Sequence, residues 1–234
     1  MRIRSSAARR DPEILRPYPE SPRPAPPEAD DEPRPVAARA DMGERMRELR
    51  ATLLSRRVGA PGQPMTLVVA DPDRRAKPSR LAADLAIASA RLGYQVLLVD
   101  SNLAKPTLHA LFRMPNDHGV SDMADWARSG EVEVHATAVK GLWLLAAGPA
   151  VANPAETIER LNLCDQLRRF GTRYDTVLID VTAQPDADAA AAAAGSDGVI
   201  LAVRRDRTPI AAIRRTVAAF ADRQVLSLGL VPVA

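Results

Sequence analysis

From Thr66 onward, apolar positions come in two alternating kinds of block. Short runs rich in Val, Leu and Ile predict strands over Thr66–Ala70, Gln95–Asp100, Leu142–Ala146, Thr176–Val181, Val199–Val203 and Val225–Val231. Longer stretches with apolar residues three and four apart predict helices over Ser79–Leu92, Thr107–Phe112, Ser121–Ser129, Pro154–Phe170, Asp186–Ala194 and Pro209–Asp222. Strands with almost no polar alternation are buried on both faces, and strands that alternate with helices pair in parallel. The pattern therefore predicts an α/β fold: a doubly wound, mostly parallel sheet with helices on both faces. No repeat is visible in the sequence.

Upstream of the first strand the pattern changes twice. Met42, Met46, Leu49 and Leu53 recur at helical spacing while Glu44, Arg47 and Arg50 take another side, which predicts an amphipathic helix closed by Gly59-Ala60-Pro61-Gly62. Before that, residues 1–40 hold nine of the twenty prolines and show no apolar periodicity, the composition of a disordered, partly polyproline tether. The expected division is a Pro-rich tail over 1–40, a helix within 41–60 and an α/β domain over 61–234.

Charge and composition narrow the function. A formal net charge of only +3 and an aromatic content of 3% argue against a nucleic-acid partner, which needs a basic face or stacking platforms. The basic start Met1-Arg2-Ile3-Arg4 lacks the apolar stretch of a signal peptide, and no run approaches the ~20 apolar residues of a membrane span, so a cytoplasmic location is expected. Any place at the inner face of the plasma membrane would come through a partner. Cys164, the single cysteine, sits among Leu161, Leu163 and Leu167 and reads as a core thiol, while His109, His118 and His135 show no metal-ligand spacing.

In an open parallel sheet, ligands bind beyond the carboxyl ends of the strands. Two predicted strands end there in acids, Val96-Leu-Leu-Val-Asp100 and Val177-Leu-Ile-Asp180, placed to face a Mg²⁺ ion or an activated water. The first strand runs into Asp71-Pro72-Asp73-Arg74-Arg75-Ala76-Lys77-Pro78-Ser79, and no glycine occurs between Ala70 and Gly93. Phosphate-cradling loops use glycine because backbone N–H groups approach the oxygens closely and adopt conformations a Cβ disfavours. Pro78 lacks an N–H altogether, and Asp71 and Asp73 bring negative charge to the place of a triphosphate. Lys77, Arg74 and Arg75 remain able to attract an anion, and Ser79 to cap the helix or reach a metal.

Several segments together resemble one family, the bacterial tyrosine kinases of capsule and exopolysaccharide synthesis, relatives of the MinD and ParA ATPases. The likeness runs from about Asp41 to the C-terminus. Val96 to Phe112, with Asp100-Ser101-Asn102 and Lys105-Pro106-Thr107, looks like the family's second acidic motif and the helix after it. Ala147-Gly148-Pro149 and Asn153-Pro154-Ala155-Glu156 resemble its Gly-Pro and Asn-Pro-x-Glu segments. Tyr174 to Asp180 is similar to its Walker B strand, and Asp197 to Arg204 with Thr208 to the strand and turn that follow.

The resemblance implies a P-loop NTPase-type fold with ATP and Mg²⁺ as cofactors. It places Lys77, Ser79, Arg74 and Arg75 at the phosphates, Ser79, Asp100 and Asp180 at the metal, and Asp100 and Asp180 in catalysis if the protein is active. Glu44, Arg47 and Arg50 match the family's Glu-x-x-Arg-x-x-Arg helix, which implies a homo-oligomer, and the implied partner is a membrane chain-length or export protein of a polysaccharide pathway. The departures are specific. Without gaps, Pro78 falls where the family's lysine belongs, Asp-x-Asp has become Asp100-Ser101-Asn102, and Val181 to Pro185 replaces Thr-Pro-Pro. The last tyrosine is Tyr174, so the C-terminal tyrosine cluster of relatives is absent from this sequence. The expectation is a pseudokinase with a degenerate Walker A loop, with an active ATP-dependent tyrosine kinase or a MinD/ParA-like ATPase as alternatives.

Overall fold

The computed structural model describes Glu44, Glu48 and residues 63–74, 78–124, 133–170, 173–182 and 184–233. Glu44 and Glu48 are helical and exposed. The Pro-rich segment over 1–40, Arg47 and Arg50, Arg75 and Lys77, and the end of the helix expected up to Ser129 lie outside the described residues.

Seven strands form one sheet among the described residues: β1 (Met65–Ala70), β2 (Val96–Asp100), β3 (His135–Ala136), β4 (Leu142–Leu145), β5 (Thr176–Asp180), β6 (Gly198–Arg204) and β7 (Ser227–Val233). Their order is β3-β4-β2-β5-β1-β6-β7, parallel throughout except that the two-residue β3 runs antiparallel to β4. Six helices accompany them among residues 63–233 as described: α1 (Pro78–Arg91), α2 (Leu108–Leu111), α3 (Pro154–Leu161), α4 (Leu163–Phe170), α5 (Asp186–Ala193) and α6 (Ile210–Asp222). Val120–Ala124 forms a 3₁₀ turn where the sequence predicts the start of an α-helix.

Period-two alternation in the strands divides the interior in two. Leu67 and Val69 of β1 and Val96 and Leu98 of β2 pack on one face with Leu81, Leu85 and Leu108 from α1 and α2. Val68 and Ala70, with Leu97 and Val99, point to the other face, where Ile158, Cys164, Ala190 and Phe220 come from α3 to α6. Every residue of β1, β2 and β5 is buried. That is why these strands read as unbroken apolar runs.

Two expectations need correction. The long helix over Pro154–Phe170 is two helices, because Asn162 takes a left-handed conformation (φ 49°, ψ 50°) and turns the chain between them. Asn tolerates that conformation better than most side chains, so the break is local chemistry that periodicity does not register. The last strand begins at Ser227, and as an edge strand it is half exposed, with Leu230 at 52%. It does not share the two-sided burial of the central strands.

Candidate functional site

The carboxyl ends of the central strands bring two acids together. Asp100 and Asp180 are register partners at the ends of β2 and β5, and both side chains are fully buried. Asp100 is heavily hydrogen bonded: Oδ1 accepts the Asn102 N–H at 3.1 Å, and Oδ2 accepts those of Thr107 and Leu108, each at 3.0 Å. It thereby receives free amide donors at the start of the short α2. Burial still raises its pKa above the ordinary carboxylate range, with the three amides pulling the other way.

Asp180 is divided between its two oxygens. Oδ1 accepts the Thr182 N–H at 3.0 Å and also the Thr182 hydroxyl. Oδ2 is buried and has no hydrogen-bond partner. Burial first, and the Asp100 charge second, push the Asp180 carboxyl up to about 7, with Thr182 and the nearby Ser79 hydroxyl pulling the other way. Around it, the Thr107 hydroxyl donates to Ser79 Oγ at 2.6 Å, and Ser79 Oγ lies 3.4 Å from Thr182 Oγ1. Three hydroxyls from the start of α1, the loop after β2 and the loop after β5 thus form a chain that ends on Asp180 Oδ1.

Asn102 contributes what an aspartate could not. Its side-chain NH₂ donates to the Thr182 carbonyl at 3.4 Å while its Oδ1 accepts the Lys105 N–H at 3.1 Å. Ser101 Oγ donates to the Asp180 carbonyl at 2.7 Å and receives Gln184 Nε2 at 3.1 Å. The segment Asp100-Ser101-Asn102 therefore joins the loops after β2 and β5 through neutral hydrogen bonds.

The loop after β1 is organised differently. The Asp73 N–H donates to Asp71 Oδ1 at 3.1 Å and the Arg74 N–H to the Asp71 carbonyl at 3.3 Å. These are the first amides of the segment that would cradle a phosphate, and both are used within the turn. Arg74 sits in the left-handed region (φ 55°), where glycine is the usual residue. Asp73 Oδ2 accepts from Arg204 Nη2 at 2.7 Å and from the Thr208 hydroxyl at 3.2 Å. Arg74 faces Asp186 at 3.6 Å, and Asp186 also holds Arg215 at 2.6 Å and the Thr216 hydroxyl at 2.8 Å.

Of the residues expected at the site, Asp100, Asp180 and Ser79 come together, and Arg74 is directed to Asp186. Thr182 and Thr107 have roles that the motif reading did not assign to them. For Thr182 the signal was present, since a hydroxyl residue two positions after an aspartate readily closes a local side-chain turn. The Asp73–Arg204 pair joins residues 131 apart in the chain and left no such signal.

The donor set suits the expected metal ion. Mg²⁺ binds one or two carboxylates and keeps several waters, so Asp180 Oδ2 and Ser79 Oγ fit it, with Asp100 behind them already bound to amides. In the loop after β1, the described Asp73 and Arg74 amides are already engaged within the turn.

No family model matches the chain. Curated relatives nevertheless agree. CapB of Staphylococcus aureus, whose name assigns it provisionally as a tyrosine-protein kinase, is 27% identical over 142 residues, covering 61% of this chain and 61% of CapB. The tyrosine-protein kinase YwqD of Bacillus subtilis is 33% identical over 131 residues, covering 56% of this chain and 55% of YwqD. The chain therefore spans less than two thirds of either relative. Among solved structures, the chimerical protein CapA2B2 superposes with a TM-score of 0.66 at 27% identity, covering 81% of this chain and 85% of that one. MinD of Pyrococcus horikoshii, solved with Mg-ADP, shares the fold with a TM-score of 0.58 at 18% identity, covering 72% of this chain and 70% of that one. The chain is a homologue of proteins named as bacterial tyrosine kinases, built on the mostly parallel α/β fold that the MinD ATPases also have.

Proposed function

We propose that this chain is a tyrosine-kinase-like P-loop protein that regulates exopolysaccharide synthesis or export as a binding module, a pseudokinase with impaired ATP binding. The observation that carries the reading is the loop after β1. Its described amides close on Asp71, and its Asp73 carboxylate is seated on Arg204 and Thr208, so these groups of the segment are already engaged within the protein. Phosphoryl transfer depends on positioning and on neutralising phosphate charge, and both are weakened by such a loop.

In this reading the scaffold is kept for assembly. The partner is a membrane chain-length or export protein of a polysaccharide pathway, reached at the inner face of the membrane, and the segment containing Glu44, Arg47 and Arg50 joins copies of the chain. No helix among the described residues is long and apolar enough to cross a membrane. Equilibrium titration of the purified protein with ATP and Mg²⁺ tests the reading. Binding weaker than millimolar agrees with it, and micromolar affinity with turnover lost in Asp180→Asn contradicts it.

A second reading, an active ATP-dependent tyrosine kinase with a divergent loop, is favoured by the unpartnered Asp180 Oδ2 and by Ser79, which meets the same Thr182 that caps Asp180. Asp180 and Ser79 would hold Mg²⁺, which supplies charge neutralisation at the transferred phosphoryl group, and Lys77, Arg74 or Arg75 would supply a cation. Incubation with ATP, Mg²⁺ and polysaccharide-pathway proteins that yields no phosphotyrosine above background removes it.

A further inference from the structure

Asp73 and Arg204 form a largely buried ion pair, with side-chain exposures of 8% and 19%. The pair is fixed from both sides. Thr208 Oγ1 accepts the Arg204 backbone N–H at 2.9 Å, which leaves its hydroxyl proton to point at Asp73 Oδ2. Two donors therefore converge on a single oxygen, the arrangement of an anion seat rather than of a solvated surface pair.

The carboxylate does not satisfy the guanidinium that holds it. Arg204 Nη2 is bonded to Asp73, whereas Arg204 Nε is buried and has no hydrogen-bond partner. A guanidinium offers Nε and Nη together as a planar fork, matched by two oxygens of one phosphate. Asp73 engages one prong only. The seat thus has more donor capacity than its occupant uses, and that surplus suits a multi-oxygen anion.

Neighbouring contacts hold the occupant in place. Arg215 Nη2 donates to the Pro72 carbonyl at 3.4 Å, and Arg74 and Arg215 both face Asp186 at the start of α5. The turn carrying Asp73 is therefore attached to β6, α5 and α6 at once.

We infer that Asp73 is a built-in occupant of an oxyanion site formed by the Arg204 guanidinium and the Thr208 hydroxyl, and that it excludes phosphate-type anions from the end of β6. This inference rests on the pseudokinase reading for its biological sense, since it names the contact that keeps the loop after β1 closed to phosphates. Its chemistry stands apart from Mg²⁺ and from Asp180.

The test is pyrophosphate binding by isothermal titration calorimetry to the full chain, without ATP or Mg²⁺. Wild type should bind weakly, Asp73→Ala at least tenfold more tightly, and the double variant Asp73→Ala/Arg204→Gln at the wild-type level or below. Asp73→Asn keeps the shape and removes the charge, so it should show a smaller gain and stands in for Asp73→Ala if the latter does not fold. Equal affinity of wild type and a folded charge-removed variant, or a gain that survives loss of Arg204, overturns the inference. A wild type that binds ATP with Mg²⁺ at micromolar concentration would sink the pseudokinase reading, while the pyrophosphate comparison would still decide the role of Asp73.

Discussion

Asp100 and Asp180 face each other in register at the ends of β2 and β5, yet backbone amides serve both oxygens of Asp100 and only one of Asp180. The two acids are therefore not interchangeable. Asp100 is anchored as a structural acceptor, and Asp180 is the one with capacity left for a ligand.

That asymmetry predicts a pH dependence. An unfolded aspartate ionises near pH ~4, whereas burial and the Asp100 charge carry folded Asp180 to about 7. Between those values the native state binds more protons than the unfolded chain, so stability should fall as pH rises from about 4 to 7 and level off above. Urea unfolding in metal-free buffer should give a lower midpoint at pH 8 than at pH 5. Asp180→Asn should flatten this dependence without abolishing it, because burial also raises the pKa values of Asp84 and Asp100. Parallel pH profiles for the two proteins would refute the assignment.

Asp100→Ala should be more damaging than its lack of unsatisfied atoms suggests. It strands the buried N–H groups of Asn102 and Leu108 and frees that of Thr107. The expected loss is about 2–4 kcal/mol, measured by denaturant unfolding, with Asp100→Asn recovering part of it through the remaining carbonyl oxygen.

Gly119 should not accept a side chain. A Cβ there would lie 2.1 Å from the Ala146 carbonyl oxygen and 2.5 Å from the Gly148 nitrogen, both backbone atoms with little freedom to move. Gly119→Ala should cost about 1–3 kcal/mol or more in thermal unfolding. Gly93→Ala meets no atom within 4 Å, so only its positive φ of 93° should count against it. The same crowding explains Ala147-Gly148-Pro149: Gly148 has φ 84°, and its backbone is held on both sides by Asn116, at 2.7 and 3.0 Å.

Cys164 should resist thiol reagents. It is fully buried, its thiol donates to the Ala192 carbonyl at 3.3 Å, and burial pushes its pKa up to about 12. Labelling at pH 8 should proceed at the rate of unfolding, and fast labelling of the native protein would contradict the packing.

The strands and the two acids were legible because central parallel strands leave a continuous apolar signature and Asp100 and Asp180 close two of them. Less was legible where a contact joins distant segments or a backbone angle decides. Asn162 broke a helix whose apolar spacing runs on unchanged, and the two-residue β3 is too short to carry any periodicity. Asp73 read as a charge hostile to phosphate. That Arg204 would seat it could not be read, since nothing in either local sequence names the other.

The strand order has a consequence for biosynthesis. β1 is the first strand of the sheet to be made, yet both strands that flank it, β5 and β6, lie more than 100 residues downstream in the pairings Met65 with Thr176 and Leu67 with Gly198. A strand in the middle of the sheet must then wait, apolar on both sides, until the last third of the domain has been translated. Such long loop closures slow folding and prolong exposure of sticky intermediates. Nascent chains that stop short of β6 are therefore expected to depend on chaperones, more heavily than helical proteins of the same length.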